Sequence, residues 1–314
     1  FKSLTQFLQN NIFAHYTYLY PHLRPLFFDK IITAVFFAII KLALKSTPID
    51  IINYGEFATE ISLSRYQFMG HVISSSFNYS LGQKQININP NELKITVSRG
   101  LPNNDVGRYR FYARDTLVAF KSLFLIPKLN SEGKTILKMI AACLRHGMIP
   151  NLIDCGTKPR YNARDVSWLF IKAIKDYIEY TNEVNFLNEE IELIYTDDNI
   201  ETHYRKKSRG VKRILSIADI IQDIFASTAK GIVFREYKAG SEIDHDMQGQ
   251  GFNVTVTLDP LTGFVYGGNE YNCGTWMDKI GNSIRGHNKG TPATPRNGAD
   301  IEIVALVYSA LEFI

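Results

Sequence analysis

Apolar residues recur at spacings of three and four through seven segments: Leu4 to Tyr20, Asp29 to Lys45, Thr116 to Ile126, Lys134 to His146, Val166 to Tyr180, Ile214 to Ala229 and Ile301 to Leu311. That period draws an apolar stripe along each helix, and helices with such stripes bury them against one another, as in a bundle or a barrel of paired helices. Asp165 and Asp300 each precede a helix as N-cap candidates, and Gly147 follows the Lys134 segment as a C-terminal stop. Strand patterns are short. Leu93 to Val97 and Phe252 to Leu258 alternate, and the second leads through DPLTG into FVYGG as a hairpin.

Three long irregular stretches separate the helices: Val97 to Asp115, Gly147 to Asp165 and Gly267 to Asp300. Loops of that length in a compact domain generally carry function. The chain of 314 residues, 45% of them hydrophobic, can bury a sizeable core, and its formal charge of +4 is too small a bias to point to a nucleic acid. Cys143, Cys155 and Cys273 form no CxxC pair, which fits a reducing compartment and three small buried thiols. The most apolar run, Ile31 to Ile40, is closed by Lys41. It is well short of the roughly 18 residues of a membrane span and is expected to be a buried helix. The cysteine usage makes the cytoplasm the expected compartment. The basic run Tyr204 to Arg213 is expected to be a solvated loop.

Each long stretch holds residues that could do chemistry. In GRYRFYARDT, Arg114 and Asp115 adjoin Tyr112 at a helix start, an arrangement suited to a polyhydroxylated ligand. The plainer alternative makes Asp115 an N-cap and Arg114 half of a surface ion pair. A second ARD triplet closes RHGMIPNLIDCGTKPRYNARD, where Asn162, Arg164 and Asp165 follow Tyr161. In the third stretch, glycines at 267, 268, 274, 281, 286, 290 and 298 and prolines at 292 and 295 rule out regular structure. Its Trp276 and Asp278 are therefore not helix-face residues. An indole can stack on a sugar ring while an adjacent acid reaches the glycosidic oxygen, and poor solvation beside the indole would favour the protonated acid. Motifs for serine hydrolases, phosphate-binding loops, zinc proteases and dinucleotide binding are absent, and the seven histidines show no metal-ligand spacing. No metal or cofactor is expected.

The run FNVTVTLDPLTGFVYGGNEYNCGTWMDKIGNSIRGHNKGTPATPRNGADIEIVAL resembles the C-terminal amylo-α-1,6-glucosidase domain of the eukaryotic glycogen debranching enzymes. SRGLPNNDVGRYRFYARDT and RHGMIPNLIDCGTKPRYNARD resemble two upstream segments of that domain in the same order, so the resemblance is clear over 100–314 and weaker over 1–99. It implies a single partial glucosidase domain over 1–314: an all-α, incomplete (α/α)6 barrel of glucoamylase-like type, with short β-hairpins in the loops, that hydrolyses the α-1,6-linked glucose at branch points of glycogen or limit dextrin after a partner transferase has acted. It also implies Asp278 as general acid. Tyr112, Arg114, Asp115, Asn162, Arg164, Asp165, Trp276 and Glu302 would surround the glucose. An inverting enzyme needs a second carboxylate as base, about 6.5 to 9.5 Å from the acid. The resemblance puts that base beyond Ile314. Tyr112 and Ala113 stand where the family pattern has Trp-Gly, and Asn282 where it has a glutamate. Two alternatives remain at this level: a catalytically silent glycan-binding segment, and a related barrel hydrolase of the glucoamylase or trehalase type.

Overall fold

The structure, a computed structural model, describes residues 10, 16, 18–68, 70–72, 94–96, 110–154, 158–194 and 213–314. Most of the expected first helix and of the basic run, together with Cys155, lies outside them. The chain divides into two units, Phe1–Arg65 and Tyr66–Ile314.

In the first unit a single turn at Pro21–Leu23 leads into α1 (Arg24–Lys45), followed by α2 (Ile49–Asn53) and α3 (Glu56–Phe68). α1 has proline in its first turn, where the missing N–H costs no helical hydrogen bond. Its apolar run is helical, as expected, but it is not buried. Ile31 is covered, whereas Ile32, Phe36, Phe37 and Ile39 face solvent. A helix apolar around its whole circumference needs partners on every side, and among the described residues this unit offers only the short α2 and α3. No described helix is long and apolar enough to cross a membrane.

The second unit interleaves helices with small antiparallel sheets, in line with a helical chain that carries short hairpins in its loops, although two of the sheets have three strands. β1 (Gly70–Val72) pairs with β2 (Lys94–Thr96). β3 (Arg110–Tyr112) runs into α4 (Ala113–Val118), and the expected Thr116 helix resumes after Ala119 as a wider turn at Lys121–Leu125. α5 (Asn130–Ala141) is followed by β4 (Leu152–Asp154), β5 (Lys158–Arg160) and α6 (Val166–Thr181). Next come β6 (Glu190–Glu192), β7 (Ile214–Ser216), α7 (Ile217–Lys230), β8 (Ile232–Arg235), β9 (Asn253–Leu258), β10 (Val265–Gly267) and α8 (Ile301–Phe313).

The hairpin expected around DPLTG is β9–β10, with Val265 opposite Leu258, and β8 extends it on the other side. In the turn, the Asp259 carboxylate accepts hydrogen bonds from Leu261 N and Thr262 Oγ1. The Ile214 segment begins as a strand rather than a helix. Ser216 then starts α7 with a reciprocal capping box to Asp219. Gly147 does not end α5, which stops at Ala141. It sits instead at φ +70° in a tight turn, where a Cβ would come within 2.1 Å of Ser227 Cβ.

α6 packs against α4, α5 and α8. Its inward face carries Trp168, Phe170, Ile171, Ile174 and Tyr177, all buried. Trp168 meets Phe225 of α7 edge-on at 5.1 Å between ring centres, and Tyr177 meets Phe186 in the same way. Cys143 lies deep in this core, where burial pushes its thiol up to about 12. The described helices do not close into a barrel.

The end of α6 is tied to α5 by charge. Lys134 Nζ donates to Glu183 and pairs with Glu189, which also receives Lys138 Nζ at 2.7 Å. Tyr177 donates its hydroxyl to Glu183 at 2.6 Å, and burial and that acceptor push the phenol up to about 12. The hydrogen bonds from Lys134 and Tyr177 hold Glu183 below its ordinary value of 4.5. A carboxylate depressed on folding stabilises the protein above its unfolded pKa, and that contribution is lost as pH falls through the lower folded value. Thermal unfolding followed by tryptophan fluorescence should therefore show a decline in Tm below pH 4.5 that is shallower in Glu183→Gln than in the parent.

Candidate active site

The three-stranded sheet β3–β4–β5 brings the first two long stretches together. Tyr112 at the end of β3 stands opposite Leu152, which stands opposite Arg160 on its other side. Asn151 closes the junction: its carbonyl accepts Ala113 N at 2.9 Å, and its own N–H donates to Arg160 O at 2.7 Å. Its side-chain amide donates to Asn162 Oδ1 at 3.3 Å. The starts of α4 and α6 are thereby held side by side, with Arg114 on one and Asp165 on the other.

Arg114 is buried, not the surface residue of the plainer alternative. One edge of its guanidinium faces Asp165: Nη2 donates to Oδ1 at 3.1 Å, and Nε lies 3.0 Å from Oδ2. The remaining nitrogen, Nη1, donates to Asp278 Oδ2 at 3.2 Å. One side chain thus joins all three stretches. The side chain of Asp165 is 3% exposed and that of Asp278 39%, so the bridge runs from the interior to an accessible carboxylate. Burial pushes the Asp165 carboxyl up from its ordinary value against the pull of Arg114 and Arg164. Asp165 does occupy the N-cap position of α6, but its side chain caps nothing because Arg114 has taken it.

Asp278 thus has cationic partners, Arg114 and the exposed Lys279, whose Nζ is 3.5 Å from Oδ1. Trp276 is 59% exposed and presents its indole to solvent beside the acid rather than enclosing it. Asp115, expected among the ligand-binding groups or as an N-cap, is an exposed residue in the first turn of α4, where a negative charge suits the helix dipole. Tyr112 and Asn162 are half-buried at the edge of the cluster.

Arg164 has turned toward the third stretch. Its side chain is 2% exposed, and Nη2 donates to Arg296 O at 2.6 Å, to Gly298 O at 3.3 Å and to Asp300 Oδ2. Its backbone N–H donates to Gly274 O at 2.9 Å. Burial lowers its pKa, opposed by Asp300 and Asp165. Glycine is required around it: a Cβ at 267, 268 or 274 would lie 2.8, 3.0 or 2.7 Å from the Arg164 side chain. Asp300 occupies the N-cap position of α8 with its carboxylate on arginines, and Glu302, on the first turn of α8, receives Arg296 Nη2. Arg296 and Asp300 were not singled out as site residues by sequence reasoning. Asp300 reads there only as an N-cap, and Arg296 only as one residue of the third long stretch.

An accessible carboxyl group two residues along the chain from an exposed indole, with an arginine on one oxygen, is a combination suited to binding a sugar. Comparisons with known proteins show the family. A family profile described as amylo-alpha-1,6-glucosidase matches residues 74–314, and the chain belongs to this family of glycoside hydrolases. It is 38% identical over 232 residues to the glycogen debranching enzyme of Saccharomyces cerevisiae (strain ATCC 204508 / S288c). The alignment covers 74% of this chain but only 15% of the yeast enzyme.

Gly274→Ala should cost about 1–3 kcal/mol by overpacking against Arg164. Limited proteolysis should then cut the 267–300 stretch faster than in the parent, and an unchanged cleavage rate would show that Arg164 does not anchor it.

Proposed function

We propose that this chain supplies the acid-bearing part of an α-1,6-glucosidase pocket, acting on the single glucose stub left at a branch point of glycogen or limit dextrin. The observation that carries the reading is the Arg114 bridge, which gathers an exposed aspartate, a buried one and three loops beside an exposed tryptophan. In this reading Asp278 protonates the glycosidic oxygen and Trp276 offers its face to the sugar. Tyr112, Asp115 and Asn162 contribute at the rim, Arg114 and Asp165 hold the acid, and Arg164 and Glu302 stand in the scaffold beneath it.

The nearby carboxylates support a base from another part of the polypeptide. Asp165 is committed to Arg114, Asp300 to Arg164 and Arg296, and Glu302 to Arg296. Each of these carboxylates is already paired with arginine rather than left open to hold an attacking water. We therefore read residues 1–314 as part of a glucosidase domain whose paired helices, completed by further helices, form an (α/α)6 barrel. Such an enzyme works in the cytoplasm beside a transferase activity that first exposes the stub.

Asp278→Asn in the full-length gene product should lower glucose release from limit dextrin by about a thousandfold. Transfer of outer glucosyl units should be unaffected. Glucose release at the parental rate would remove Asp278 from the acid role.

A further inference from the structure

Asp278 directly follows the turn Thr275–Met277, and a single side chain from the far end of the same loop grips both ends of that turn. Arg296 Nε donates to Thr275 Oγ1 at 3.2 Å, and Nη1 points to Met277 Sδ at 3.7 Å. The same guanidinium engages the start of α8: Nε also lies 3.2 Å from Asp300 Oδ1, and Nη2 donates to Glu302. Asp300 is itself held by the buried Arg164. Thr275 is fully buried, so its hydroxyl has no water to fall back on if Arg296 is removed.

The turn is held at its flanks by backbone hydrogen bonds, from Arg164 N to Gly274 O and from Ala293 N to Lys279 O, both at 2.9 Å. It lies in a segment without helix or strand, and the side chains of Trp276 and Lys279 on either side of the acid are exposed. Arg114 holds one carboxylate oxygen of Asp278 from the α4 side, which leaves the direction of the backbone beneath it to be set from elsewhere.

We propose that Arg296 is a positioning residue for the acid: it clamps the Thr275–Met277 turn to the N-terminus of α8 and so aims the Asp278 carboxyl at the glycosidic oxygen. The proposal rests on Asp278 being the general acid. Arginine suits the task because its planar fork spans two carboxylates and two loop acceptors at once, which a lysine ammonium cannot do. The acid has to reach the leaving oxygen within hydrogen-bond distance, and a displacement of about 1 Å costs about a hundredfold in rate.

The test uses two substrates that differ in their need for a proton. A branched maltooligosaccharide leaves as an alkoxide and requires the acid, whereas α-glucosyl fluoride expels fluoride without protonation. In the full-length gene product, Arg296→Met should lower kcat on the branched substrate about a hundredfold with KM little changed. Hydrolysis of α-glucosyl fluoride should stay within about threefold of the parent, because the proton donor contributes nothing there. Thr275→Val keeps the buried shape and removes the Arg296 acceptor, so it should show the same selective loss at about tenfold, and it decides the matter if Arg296→Met does not fold. Equal losses on both substrates, or no loss on either, would overturn the proposal. Asp278→Asn separates the two claims. If it spares branched-substrate hydrolysis, the acid reading fails. If it abolishes that hydrolysis while Thr275→Val and Arg296→Met do not, the positioning role alone fails.

Discussion

The candidate site depends on one buried guanidinium. Arg114 carries a permanent charge into the interior, where it needs opposite charges within reach. Asp165 meets two of its nitrogens, and Asp278 takes the third. The cost of leaving Arg114 unpaired, about 3–5 kcal/mol when one partner of a buried pair is lost, is what couples the folding of α4 and α6 to the placement of a loop more than a hundred residues away. The same contact that stabilises the fold thus puts an accessible carboxylate in one place.

A second arginine solves a different problem. The 268–300 segment forms no helix or strand of its own, yet a proton donor has to be positioned to within about half an ångström. Arg164 provides the anchor by reaching out of the core into the loop, where carbonyls 296 and 298 and the Asp300 carboxylate close on it. The glycines at 267, 268 and 274 let the chain wrap that closely. The glycine content that looked like a marker of irregular structure is also the mark of a chain packed around a buried side chain.

The long periodic helices were legible in the sequence because their signal is local: the α6 pattern matches its observed span to within a residue at the C-terminal end. Asp278 was legible as a residue outside regular structure. The strands β3, β4 and β5 were not, because three-residue strands carry too few positions to show alternation, and their pairing is decided by partners far along the chain. Asp165 and Asp300 read as helix caps from local sequence. Tertiary contacts redirected both carboxylates to arginines, which local pattern cannot reveal. The apolar run of α1 showed its helix but not its exposure, since exposure depends on what else is there to cover it.

The central claim, that Arg114 holds Asp278 as the proton donor to a branch-point glucoside, is most directly tested by a crystal structure of the full-length gene product with a non-hydrolysable, thio-linked 6-α-glucosyl maltooligosaccharide. The account predicts an Asp278 carboxyl oxygen at about 3 to 3.5 Å from the bridging sulfur, close to hydrogen-bond reach. Arg114 should still lie between Asp165 and Asp278. A glucosyl unit bound at another carboxylate, with Asp278 turned away from the linkage, would contradict it.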